Sequence, residues 1–155
     1  MKAVIIGVGN EYRRDDGIGP AVADRIGRRA LPDVEVITTD GEPTRVLDAW
    51  TDKDIAVVID AAVLREPTPG RVHRMAVDDL PDDKPARSSH GLGIPEAVEL
   101  AKALDRLPGR LVFYTVEITE TGYGPGLSTP VAAAIAPVIA AVLQELSLGV
   151  TEKSS

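Results

Sequence analysis

Two aspartates, one histidine and the glycines around them are the residues whose types and order could do chemistry in this chain. Asp16 closes the stretch Gly7-Val8-Gly9-Asn10 … Asp15-Asp16, Asp60 follows an apolar run, and His90 sits in Ser88-Ser89-His90-Gly91. Two carboxylates and an imidazole make an oxygen, oxygen, nitrogen set with open positions, suited to a borderline divalent ion such as nickel or zinc. Held close together, the same carboxylates could share a proton and act as a general acid–base pair. Each residue also has a plainer reading. An Asp at a strand end often caps the next turn, and Asp15 and Asp16 before Gly17 could form a cap region favoured by the helix dipole. A lone loop histidine is usually solvated. His73, between Arg71 and Arg74, reads as a surface residue of an edge strand.

The elements that must position these groups follow from local pattern. Lys2–Ile6 is a short apolar run ending at Gly7, which reads as a buried strand. Pro20 suits the first position of a helix running to about Ala30, because its missing N–H has no intrahelical acceptor there. Val34–Thr38 is a β-branched strand, Thr44–Trp50 a short helix, and Ile55–Ile59 a wholly apolar strand closed by Asp60. Gly70–Val77 is less apolar and belongs nearer a sheet edge. The stretch from Asp78 to His90 has no periodicity and reads as a loop. Pro95–Leu107 has helical spacing, Arg110–Ile118 is the last strand, and Thr119–Ser128 is a Gly-rich loop. Val131–Leu146 makes a long Ala-rich helix that Pro137 should kink.

Strands alternating with helices predict an α/β fold of three layers: a twisted, mostly parallel sheet of about five strands between helices. Residues 1–148 form one domain in this reading, and 149–155 a frayed tail. Right-handed crossovers put the carboxyl ends of parallel strands on one edge, where open α/β sheets bind ligands. Asp16 and Asp60 both follow strands at that edge, and the loop bearing His90 could fold over them. A dinucleotide site is the poorer reading. Tyr12 stands where the third glycine of the fingerprint belongs, although Asp40 mimics the ribose-binding acid.

Composition narrows the classes further. Of 155 residues, 44% are hydrophobic but only 3% aromatic, so the core must be built from Val, Ile, Leu and Ala, as in a helix-flanked parallel sheet. A net charge of −7 and a pI near 4.8 argue against nucleic acid, whose phosphates need clustered Lys and Arg. No uninterrupted run of 18 apolar residues and no signal-peptide pattern is present, so the expected place is the cytoplasm, with no membrane partner. The absence of cysteine excludes disulfides, thiolate metal sites and cysteine nucleophiles.

Taken in order, Gly7-Val8-Gly9-Asn10, Asp15-Asp16-x-x-Gly19, Asp40-Gly41, Asp60-Ala61, Ser89-His90 and Gly126-Leu127-Ser128 resemble the hydrogenase maturation proteases over nearly the whole chain. The resemblance implies an endopeptidase that removes a C-terminal peptide from the precursor of a nickel–iron hydrogenase large subunit after nickel insertion. It implies that Asp16, Asp60 and His90 contact that metal and serve the cleavage. Nickel would be recognised in the substrate, with no tightly bound resident cofactor, and the enzyme would act as a monomer. The Asp40-Gly41 loop would touch substrate. Here it continues Glu42-Pro43-Thr44 where many members have Gly-Thr, His90 is followed by Gly91 rather than Gln, and Pro130 is displaced by one residue. These departures bear on specificity. A non-catalytic, metal-dependent chaperone for a metallated subunit is the alternative that the residues leave open.

Overall fold

The computed structural model describes residues 1–77 and 93–154, with 93–94 and 149–154 described by backbone alone. Among them, five strands form one sheet: β1 (Ala3–Val8), β2 (Val34–Thr39), β3 (Ile55–Ala62), β4 (Val72–Ala76) and β5 (Arg110–Glu117). The helices are α1 (Ile18–Arg28), α2 (Pro43–Trp50), α3 (Gly93–Leu104), α4 (Thr129–Ala132) and α5 (Ile135–Ser154). The strand order is β2-β1-β3-β5-β4, parallel throughout except for β4, which runs antiparallel along β5 at the edge.

The apolar runs of β1 and β3 leave no residue exposed, as expected of central strands covered on both faces. Alternation divides their side chains between two cores. Ile5, Val57, Ile59, Val112 and Val116 pack against α1 and α5, whereas Val4, Ile6, Val58, Leu111 and Phe113 pack against α2 and α3. The three-layer α/β fold expected from the sequence is the one observed.

Several boundaries move, each for a local reason. α1 starts at Ile18, making Pro20 its third residue, where a missing N–H still costs no helical bond. α2 gains Pro43 at its first position, and the Glu42 side chain caps it by accepting from Thr44 N–H at 3.1 Å and Arg45 N–H at 3.0 Å. Those bonds hold the Glu42 carboxyl below its ordinary value of 4.5. α3 stops at Leu104 rather than Leu107 because Asp105 turns left-handed, at φ 55°.

The last helix differs most from its expected form. It breaks at 133–134 into α4 and α5, and it continues through Ser154 where a frayed tail was expected. The break lies one turn before Pro137, at Ala133, whose carbonyl the proline ring crowds and deprives of its donor. The segment Thr129–Leu148 has a mean hydropathy of 1.9, which by length and composition alone would suffice to cross a membrane. Two features mark it as a core helix instead. Val131, Ile135, Val138, Val142 and Leu146 pack on the sheet, and buried Glu145 accepts from Tyr114 Oη at 2.9 Å and from Arg74 Nε, with Arg110 3.1 Å away. Burial alone would raise the Glu145 carboxyl, but the bonds from Arg74 and Tyr114 and the two guanidinium charges hold it below 4.5. The same contact works the other way on Tyr114, whose hydroxyl is pushed to about 12 by burial and by the neighbouring carboxylate.

Candidate active site

The chain reverses its direction of travel across the sheet between β1 and β3. From β1 it passes through α1 to β2 on one side, then through α2 to β3 on the other. The helices leave on opposite faces and open a crevice at the carboxyl ends of β1 and β3. Asp16 and Asp60 come from the two sides of that crevice.

Asp16 is placed by the glycines before and after it. Beyond β1, Gly9 has φ 147°, and a Cβ there would collide with the Asp16 carbonyl, so the backbone can fold back only with glycine. A short 3₁₀ turn over Arg14–Gly17 then presents Asp15 and Asp16, both buried. The Asp16 carboxylate accepts from Asn10 N–H at 3.0 Å, and Asn10 Oδ1 accepts from Tyr12 N–H at 2.9 Å. Gly19, in the first turn of α1, presses against the carbonyls of Val8 and Ile59, with no room for a Cβ. The helix start that follows Asp16 therefore sits directly on the strand residue that precedes Asp60.

Asp60 does not close its strand, contrary to the sequence reading. Pairing of β3 with β1 ends at Gly7↔Ile59, but pairing with β5 continues through Asp60↔Thr115 to Ala62↔Glu117. Asp60 is the first residue of β3 past the β1 ladder. It is buried, paired with β5 on one flank, and on the other the β1 ladder has already ended. Its Oδ1 accepts from Ala61 N–H at 2.7 Å. His90, the third residue expected here, lies outside the described residues. Among the described residues, no group of three or more His, Cys, Asp or Glu is arranged to hold a metal ion.

Asp15 has a task that the sequence did not suggest. Its carboxylate accepts from Ser128 N–H at 2.7 Å, Ser128 Oγ at 2.9 Å and Glu120 N–H at 3.3 Å. One acid of the Asp15-Asp16 pair thus ties the first loop to the Gly126-Leu127-Ser128 loop, while its neighbour borders the crevice. Asp40 is exposed, and its Oδ1 accepts from Glu42 N–H at 3.2 Å. Together with Gly9, Tyr12, Pro20, Arg25 and Thr39 it lines a groove of about 670 Å³ beside Asp16's loop. Gly41 lies behind it, buried, at φ 98°.

His73 lies on the edge strand with its side chain 40% exposed, as its flanking arginines suggested, but it is not free in solvent. Its Nε2 lies 2.6 Å from the buried Glu117 carboxylate, which also accepts from Thr68 N–H at 2.8 Å. The register places Asp60, Thr115 and His73 in one row across β3, β5 and β4, with His73 two strands from Asp60. The Thr68 bond first, then His73, holds the Glu117 carboxyl below 4.5 despite its burial. A folded-state value below the unfolded one stabilises the protein above the unfolded value and is lost as the pH falls through the folded one. The stability gap between the wild type and Glu117→Gln should therefore be fullest near neutrality and shrink as the pH drops below 4.5. Urea melts of both proteins across that range check it. A gap that widened in acid would contradict the arrangement.

Comparison with known proteins places the chain in a family. The family described as hydrogenase maturation protease matches residues 20–145. A Methanocaldococcus jannaschii protein, named provisionally as a hydrogenase maturation protease, is 31% identical over 92% of this chain and 95% of its own. The hydrogenase 2 maturation protease of Escherichia coli is 26% identical over 94% of this chain and 91% of its own. The solution structure of an endopeptidase from Escherichia coli superposes with a TM-score of 0.82 at 26% identity, covering 94% of this chain and 92% of that one.

Proposed function

The chain belongs to the hydrogenase maturation protease family, and on that premise we propose that it is the endopeptidase that cuts a C-terminal peptide from a nickel-loaded hydrogenase large-subunit precursor. The observation that supports this reading is that Asp16's turn, which follows β1, and Asp60, in β3 just past the β1 ladder, both lie at the crevice between β1 and β3, where Gly19 presses on the carbonyls of Val8 and Ile59. A carboxylate there can take a proton from the attacking water as general base, since it needs only hydrogen-bond reach of that water in the bound complex. Asp16, Asp60 and His90 would contact nickel already held by the substrate, and that cation would polarise the scissile region. The exposed Asp40 and the groove beside it would meet the extension to be removed. Glu42 stands in the same loop but caps α2, which accounts for one departure from the usual family sequence. The reading takes the enzyme as a cytoplasmic monomer with no tightly bound metal of its own.

The test is direct. Purified protein is mixed with nickel-loaded precursor, and the large subunit is followed by intact mass. Loss of one C-terminal peptide, with the chain otherwise whole, is the expected result. Stable binding of the precursor with no loss of mass would replace the peptidase by the metal-dependent chaperone.

A further inference from the structure

The chain has three tyrosines, and only Tyr114 is buried. Tyr12 is 66% exposed and Tyr123 89%, in a protein with 3% aromatic residues. The two lie on loops that are joined along their length. Arg13 and Gly124 form a parallel bridge, Arg14 N–H donates to Gly124 O at 2.9 Å, and Gly124 N–H donates to Tyr12 O at 2.8 Å. Asp15 N–H donates to Glu120 O at 2.9 Å, and the Asp15 carboxylate grips Ser128 from below. The Arg13 guanidinium sits 5.9 Å from the Tyr123 ring centroid.

This platform is ordered at a measurable cost in backbone geometry. Arg14 adopts φ 49°, a left-handed conformation that L side chains rarely hold without external bonds. Between the loops, a groove of about 330 Å³ is lined by Tyr12, Arg14, Ala21, Pro125 and Leu127, with Glu11 at its side. Exposed tyrosines beside arginine, on loops joined by backbone hydrogen bonds, are the residue types enriched among the anchors of protein interfaces. Their location selects the partner. The same loop that carries Tyr12 and Arg13 ends in Asp16, so a protein whose tail enters the crevice has this surface next to its point of entry.

We propose that Tyr12, Arg13 and Tyr123 form the surface on which the folded body of the hydrogenase large-subunit precursor docks, presenting an apolar side chain to the groove and a carboxylate to Arg13. The inference rests on the peptidase reading for the identity of the partner. Arg13, stacked beside the Tyr123 ring on a chain of net charge −7, is the cation that such a carboxylate would meet.

The experiment measures binding and cleavage separately on purified precursor that retains its C-terminal extension. Immobilised precursor is titrated with wild type, with the double variant Tyr12→Ala/Tyr123→Ala, with Arg13→Glu, and with Leu104→Ala. Leu104 is an exposed apolar residue at the end of α3, on the amino edge of the sheet. The double variant and Arg13→Glu should each raise Kd by about tenfold or more, with a matching rise in KM, while Leu104→Ala binds as wild type. Both tyrosines stand in solvent, so melting temperatures should stay within a few degrees. Arg13→Glu keeps both rings and probes the same surface through charge alone. Wild type that cuts the precursor while the double variant and Arg13→Glu bind it equally well overturns the docking surface and leaves the peptidase intact. Binding that depends on these residues without any cleavage upholds the surface and overturns the peptidase. Wild type that neither binds nor cuts overturns both.

Discussion

Asp60→Asn should leave the protein folded and reduce precursor processing by about 10²- to 10⁴-fold, the range supplied by a single general acid–base group. The substitution keeps the side chain's shape and its Oδ1, so the bond from Ala61 N–H at 2.7 Å can survive. What it removes is the charge, at the residue where β3 outruns the β1 ladder. Asp16→Asn should behave in the same way, because an amide oxygen can still accept from Asn10 N–H. The neighbouring Asp15→Asn provides the contrast. Its carboxylate accepts a backbone N–H on each oxygen, Ser128 N–H on Oδ1 and Glu120 N–H on Oδ2, with Ser128 Oγ on Oδ2 as well, and the amide nitrogen that replaces one oxygen cannot accept the N–H bonded there. That change should lower stability by about 1–3 kcal/mol. Its effect on turnover should come through the loosened loops. Adjacent acids would thus separate into one read by kinetics and one read by melting. Full processing by Asp60→Asn would remove it from the site. Unfolding of both Asp16→Asn and Asp60→Asn would assign the pair to structure.

The parts of this molecule that were legible from sequence are those written in local pattern. Continuous apolar runs marked β1, β3 and β5, and the order of strands and helices placed Asp16 and Asp60 at one edge before any coordinates. Local pattern failed where a polar residue is stabilised by something distant. Asp60 looked like a terminator because it interrupts an apolar run, yet β5 carries the strand onward through Thr115, Val116 and Glu117. His73 read as a surface residue of the edge strand, which its 40% exposed side chain is, but its buried partner Glu117, 44 residues away, leaves no mark in the local pattern. Asp15 reached Ser128 across 113 residues, and Arg74 reached Glu145 across 71. Glu145 itself read as one polar position in a helix. No periodicity encodes such pairs, because each is set by how β4, β5 and α5 pack. A sharper reading could have asked why Glu117 and Glu145 interrupt otherwise apolar elements, since buried carboxylates persist only with partners.

Cleavage should depend on nickel inside the substrate and not on nickel added to the enzyme. A chain without cysteine, offering two carboxylates and one imidazole, holds a borderline metal weakly compared with a thiolate-rich centre. If Asp16, Asp60 and His90 touch nickel, they must complete a shell that the precursor has left open. The contact then exists only with metal-loaded precursor, and its energy is available for drawing the extension into the crevice. A site built to meet a group that is missing pays for its own unmet polar atoms, so discrimination between loaded and empty precursor should reach on the order of 10²-fold or more. The measurement follows release of the C-terminal peptide from apo and nickel-loaded precursor, each with wild type and with His90→Ala. Wild type should cut the loaded form alone. His90→Ala should lose that preference together with most of the rate, because removing one ligand of a shared shell weakens only the loaded complex. Adding free nickel to enzyme and apo precursor should not restore cutting, since a chain with this donor set would not hold the metal tightly enough to deliver it. Equal cutting of both precursors by wild type would refute metal inspection while leaving the peptidase in place. The carboxylates at the crevice would then be needed only for water, and specificity would have to come from the surface around Tyr12 and Tyr123.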